Sequence, residues 1–172
     1  KGLTYAAGRM LTQLLLIGYF LTFIFKQENP IWTFAIVATM LVISSWISLH
    51  SIKEKRKQNM KYAFFALLFG AIPVLLFVTS IVIPSSNWYG PSFLIPLTGM
   101  VLSSSMNALG VAAERYYSEL QSHDGQTAKK KSFNAALIPL INSFLAVGLV
   151  SLPGMMTGQI LSGVDPLIAA RY

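Results

Sequence analysis

An all-α, polytopic transmembrane helical bundle is the fold class this sequence predicts, and three observations predict it. Of its 172 residues 54% are hydrophobic and only 11% charged, where an ordinary soluble domain carries about 25% charged residues. The apolar residues gather in runs of about 17 to 25, the length of helix that crosses about 30 Å of hydrocarbon. The cations behind the net charge of +7 bunch between those runs, where Lys and Arg set topology. A nucleic-acid partner is excluded on that last ground. With no cysteine in the chain, disulfides, thiolate metal sites and cysteine nucleophiles are excluded as well.

Five spans and one broken segment are expected in order. The first is "YAAGRMLTQLLLIGYFLTFIF", residues 5–25, where Arg9 snorkels toward the head groups from an apolar body that begins at Met10. "KQENP" makes a short turn. Residues 31–49, "IWTFAIVATMLVISSWISL", carry no charge and place Trp32 and Trp46 near their ends as interfacial anchors. After the basic linker "IKEKRKQNMK" comes "YAFFALLFGAIPVLLFVTSIVI", residues 62–83, in which Pro73 is expected to kink the helix and free a carbonyl one turn earlier.

The last two spans differ in kind. "FLIPLTGMVLSSSMNALGVAA", residues 93–113, holds Thr98, three serines at 103–105 and Asn107, and "FNAALIPLINSFLAVGLVSL", residues 133–152, holds Asn134, Asn142 and Ser143. Lipid does not solvate such side chains, so both helices should face protein or a cavity. Beyond them "LVSLPGMMTGQILSG", residues 149–163, breaks the apolar pattern. Pro153 and Gly154 are expected to stop the fifth span, Gly158 and Gly163 to let a re-entrant segment 153–164 fold back, and Asp165 with Pro166 to cap and start another helix at 165–172.

Lys53, Lys55, Arg56, Lys57 and Lys61 crowd the loop at 50–61, and Arg115 with Lys129, Lys130 and Lys131 the loop at 114–132. Both loops are expected on the cytoplasmic side of a plasma (inner) membrane, with Lys1 and Arg9 inside too. The loops at 26–30 and 84–92 carry only Lys26, and Trp88 and Tyr89 form an outer belt. Anchoring to anionic lipid, at about 1 kcal/mol per cation, accounts for the first basic loop without any protein contact. No cleavable signal peptide is expected, because Lys1 is not a start methionine and the first apolar run is as long as a true span. The ends read as those of a truncated piece of a longer chain.

Enzyme chemistry finds no foothold. The two histidines, His50 and His123, and the six acids form no metal spacing or dyad, and GxSxG and phosphate-loop patterns are missing; His123 reads as a solvated loop residue. What remains is transport, since substrate sites in transporters lie near mid-membrane where Gly or Pro interrupts a helix and exposes carbonyl oxygens.

The stretches "LIPLTGMVLSSSMNALGVAAERYYSEL", residues 94–120, and "AALIPLINSFLAVGLVSLPGMMTGQILSGVDPLIAARY", residues 135–172, resemble the membrane subunit of the FetB-type ABC permeases, bacterial iron exporters with plant relatives linked to aluminium tolerance. "GRMLTQLLLIGYFLTFIF" is similar to the family's early helix. The resemblance implies a permease, as a homodimer, paired with a cytoplasmic ABC ATPase subunit that holds ATP and Mg; this chain binds no cofactor and is not an enzyme. It also implies that the segment from Glu114 to Ser132 docks on the ATPase, with Glu114, Arg115, Glu119, Lys129, Lys130 and Lys131 as its charged contacts. One departure stands out. Between Glu119 and Ala135 the family has a longer segment with an alanine-rich helix, whereas this chain reads "LQSHDGQTAKKKSFN".

Met100, Met106, Met155 and Met156 are candidates for a substrate pathway because thioethers are soft ligands, although they favour Cu(I) over Fe(II) and Met often only fills gaps. Ser104, Asn107, Asn142 and Gln159 need hydrogen-bond partners in the bilayer, found in neighbouring helices or in a pathway. Asp165 is an N-cap that can also attract a metal cation. The function expected is a permease subunit exporting iron or another metal. Its rivals are a non-transporting scaffold or assembly subunit and an ATP-independent small metal channel.

Overall fold

The structure, a computed structural model, describes residues 2–25, 29–82 and 89–171, the side chains of 2–6, 23 and 82 lying outside it. Lys1, Lys26 and Trp88, used above for topology, fall outside the described residues. In chain order the elements are α1 (Gly2–Phe25), α2 (Pro30–Ser48), a 3-10 turn (His50–Lys55), α3 (Arg56–Phe77) running into a π-helical turn (Val78–Val82), α4 (Pro91–Glu119), α5 (Gly125–Ala146), α6 (Gly154–Leu161) and α7 (Pro166–Ala169). The described residues contain no strand, so the all-α expectation holds.

Among the described residues, three helical segments combine the length and apolarity to cross a membrane, Pro30–Ser48, His50–Ile81 and Pro91–Glu119, so the five expected spans are not confirmed. The fifth expected span is displaced. Its helix begins at Gly125 instead of 133 and ends at Ala146 instead of 152, so Lys129, Lys130 and Lys131 lie inside it. The apolar remainder is about 15 residues, short of the ~20 that hydrocarbon demands. The two basic loops shrink correspondingly. Arg56, Lys57 and Lys61 ride on the first turns of α3, and only Leu120–Asp124 separates α4 from α5.

The chain divides into two compact units, Lys1–Gly110 and Val111–Tyr172, and α4 contributes to both. In the first unit, Asn29 caps α2 by accepting from the Ile31 N–H at 3.0 Å, and Pro30 sits at the first helical position, where its missing N–H costs nothing. At the far end Ile52 leaves helical geometry (φ −111°, ψ 54°). There the Arg56 guanidinium donates to the Trp46 carbonyl, from Nε at 2.9 Å, and lies 3.7 Å over the Trp46 ring. One cation thus satisfies an orphan carbonyl of α2 and stacks on an aromatic face.

The core of this unit is the cluster Leu41, Leu67, Ala71 and Leu102, one layer drawn from α2, α3 and α4. Small residues bring the backbones close. A Cβ on Gly110 would stand 3.0 Å from the Ser48 carbonyl oxygen, and one on Gly99 would stand 3.4 Å from Met40 Cε. Both residue pairs advance together, so α2 and α4 run in the same direction. The buried hydroxyls of Ser45 and Ser48 donate to the carbonyls of Leu41 (2.7 Å) and Ser45 (2.9 Å), which spares apolar packing an unpaired donor. α3 continues through Pro73, and Thr79 in the π turn donates to the Leu75 carbonyl at 2.8 Å.

In the second unit α5 is capped by Asp124, whose Oδ2 accepts from the N–H groups of Gln126 (3.1 Å) and Thr127 (3.3 Å). The break after α5 differs from the expected one. Pro153 and Gly154 do not stop the helix; it ends at Ala146, whose carbonyl receives the N–H groups of Leu149, Val150 and Ser151. Gly148, at φ +82°, makes the reversal, and Pro153 with Gly154 instead open α6. At the end of α6 the Val164 N–H reaches the Gln159 carbonyl and the Gly163 N–H that of Ile160, with Gly163 at φ +93°. This is a Schellman ending, which glycine makes without strain; Gly158, within α6, has no such role. Asp165 then caps α7 from Oδ1 to the Leu167 N–H at 2.9 Å, with Pro166 first in the helix, as its sequence pair leads one to expect.

Candidate functional site

α4 is the element on which the expected pathway residues meet. Leu94, Ile95, Thr98 and Leu102 are buried on one side, at helical spacing. On the opposite side Met100, 44% exposed, Ser103, Ser104 and Asn107 line up at three- and four-residue steps and face outward. Met106 parts from them. It packs against the Leu41–Leu102 cluster, the gap-filling role that an unbranched thioether performs well.

The other candidates lie in the second unit. Asn142 is exposed on α5, one position from Ser143, whose hydroxyl donates to the Pro139 carbonyl at 2.9 Å. On α6 Met155 is 49% exposed, Met156 and Gln159 are half-buried, and the Gln159 Oε1 is buried without a hydrogen-bond partner. Asp165 is exposed and uses one carboxylate oxygen for its cap. Two further unpartnered buried oxygens, Thr33 Oγ1 and Thr98 Oγ1, carried no sequence signal beyond being threonines in apolar helices. Among the described residues no three His, Asp or Glu side chains group into a metal site.

The charged segment from Glu114 to Ser132 is organised around a single carboxylate. Glu119, only 7% exposed, pairs with Arg115 one turn earlier, with His123 Nδ1 at 3.0 Å and with Lys131 Nζ at 2.8 Å. Lys131 Nζ also lies 3.0 Å from His123 Nε2. An ammonium has only donors, so Nε2 accepts and Nδ1–H donates to Glu119. His123 is thus an exposed loop residue, as expected, but one engaged with Glu119 and Lys131; the spacing Arg115, Glu119, His123, one helical turn per step, was the available signal for that pairing. The backbone closes the same turn, the His123 N–H donating to the Glu119 carbonyl at 2.9 Å.

Asp124 stands just beyond the helix, where the Thr127 side chain and the Thr127 and Gln126 N–H groups hold its carboxyl below the usual range. Of the expected coupling residues, Glu119, Arg115 and Lys131 are thus engaged with one another, while Glu114, Lys129 and Lys130 remain exposed. Lys129 and Lys130 border a cleft of about 430 Å³ together with Ala112, Gln126, Ser132 and Phe133.

Comparison with known proteins follows the same outline. The profile of the uncharacterised protein family UPF0014 matches residues 1–130 and 125–172. A UPF0014 membrane protein of Synechocystis is 36% identical over 186 aligned residues, covering 99% of this chain and 72% of that protein. The probable iron export permease protein FetB of Escherichia coli is 33% identical over 190, covering 100% and 71%, and the protein ALUMINUM SENSITIVE 3 of Arabidopsis thaliana 29% over 185, covering 97% and 66%. No solved structure matches. An alignment of 190 positions for 172 residues requires gaps in this chain, and the two profile matches overlap at 125–130, at the start of α5.

Proposed function

The chain belongs to the UPF0014 family of membrane proteins, and from that premise we propose that it is the membrane-spanning permease subunit of an ABC transporter exporting iron or another metal. The observation that carries the reading is the outward polar stripe Met100, Ser103, Ser104 and Asn107 on α4, a helix long and apolar enough to span. Polar side chains facing hydrocarbon are costly, so this face meets protein or an aqueous path. The name of the FetB relative, a probable iron export permease, supports the class of cargo.

In this reading α1 joins the three apolar segments as a further span, the apolar part of α5 enters the membrane without crossing it, and two copies of the permease face one another across the pathway. The second unit offers Asn142, Met155, Met156, Gln159 and Asp165 as further candidate pathway residues. The basic ends of α2–α3 and α4–α5 lie in the cytoplasm of the plasma membrane. A separate ATPase subunit holds ATP and Mg and meets the turn between α4 and α5 through Glu114 and the backbone that Glu119 braces.

Metal flux into vesicles containing this subunit with its ATPase, set against a hydrolysis-dead ATPase, tests the proposal. Accumulation of iron or another metal only with the active ATPase is expected. Equal flux with the dead subunit identifies an ATP-independent channel, and no flux of any metal identifies a scaffold.

A further inference from the structure

We infer that the cleft between the last turns of α4 and the first turns of α5 binds the phosphate of an anionic phospholipid, with Lys129 and Lys130 at its rim. The surrounding charges leave these two lysines available. Glu119 is held by Arg115, His123 and Lys131, Asp124 is committed to its cap, and Glu114 is not among the lining residues. Lys129 and Lys130 are exposed and make no ion pair among the described residues.

The walls fit an amphiphile better than a free anion. Ala112 and Phe133, the latter 63% exposed, supply apolar surface, while Gln126 and the two ammonium groups supply donors. Ser132 lines the cleft with its hydroxyl already donating to the Lys129 carbonyl at 2.8 Å. The cleft also sits where α5 changes character: the lysines end and the apolar run "FNAALIPLINSFLA" begins at Phe133. On the proposed function, on which this inference rests, α5 enters the membrane here, so the change lies at head-group level, where an acyl chain follows the apolar face and the phosphate meets the cations.

The test uses the full chain in nanodiscs of phosphatidylcholine with a minor fraction of spin-labelled phosphatidylglycerol, reading the association constant of the labelled lipid relative to phosphatidylcholine. Joint substitution Lys129→Gln and Lys130→Gln is expected to lower that preference about tenfold or more, given about fivefold per cation near a membrane surface. Lys57→Gln with Lys61→Gln, which removes the same charge from α3, takes away only diffuse surface attraction and is expected to lower the preference by a clearly smaller factor than the Lys129–Lys130 pair. Equal losses in the two pairs overturn the site in favour of diffuse charge. Displacement of the label by glycerol 3-phosphate overturns the lipid in favour of a free phosphate. An unchanged lipid preference with lost retention of the ATPase subunit assigns the lysines to a protein partner and overturns it too. Should the double variant misfold, Phe133→Ala, with both lysines present, is expected to lower the preference and Lys130→Arg to keep it; failure of either overturns the site.

Discussion

Asp124 shows how a single exposed carboxylate can make helix formation depend on pH. Its hydrogen bonds to Thr127 and Gln126 hold the folded carboxyl below its ordinary range, so the folded form releases its proton more readily than the unfolded one. The cap contributes fully above the ordinary carboxylate pKa of about 4 and is lost as pH falls through the lower folded value. Amide exchange at Gln126 and Thr127, corrected for intrinsic rates, should therefore speed up below pH ~4, and Asp124→Asn, an equally good cap, should flatten that dependence. Gly148 offers a second residue-scale test. At φ +82° an alanine is strained by about 1–2 kcal/mol, so Gly148→Ala should lower the unfolding midpoint, whereas Gly158→Ala, inside α6 with open space around it, should not.

At the scale of elements, the joints between helices hold the specific interactions. Gly110 meets a backbone carbonyl and Gly99 only the flexible end of Met40. Gly110→Ala should cost about 1–3 kcal/mol through overpacking, while Gly99→Ala should be near neutral; equal effects would refute the close approach of α2 to α4. Arg56 joins α2 to α3 through both a carbonyl and an indole face. Because lysine has neither the planar fork nor the same stacking, Arg56→Lys should be destabilised nearly as much as Arg56→Ala, by about 1 kcal/mol for the cation–π part. Breaking the Glu119 hub with Glu119→Gln should raise proteolysis at Leu120–Asp124, since Lys131 and His123 lose the anion they share.

For the whole molecule, the proposed pathway makes a labelling prediction. Cysteines placed at Ser104, Asn107 and Asn142 should react with aqueous thiol reagents in the membrane, and one placed at Leu102, 2% exposed in the core, should not. Protection of all three pathway positions would sink the transport reading. The family, the helical class and the polar character of α4 were legible in the sequence, because composition and run length respond to the bilayer as solvent and because the permease-like stretches are long. The extent of α5 was not. Hydropathy marks where a segment becomes apolar, whereas the helix starts where Asp124 caps it, three cations earlier.

The sequence by itself determined that this chain is a membrane protein built of helices, which segments are apolar, and that Asp165 with Pro166 starts a helix, since each follows from residue type and local spacing. Only the tertiary structure decided that Met106 faces the core while Asn107 faces out, that His123 completes a charge hub on Glu119, that Arg56 clasps Trp46, and that the chain turns at Gly148 rather than at Pro153. Those outcomes depend on which groups meet across separate elements or on a backbone angle that several residue types permit. A rotation of about 100° between adjacent helical residues is enough to give neighbours in sequence opposite roles.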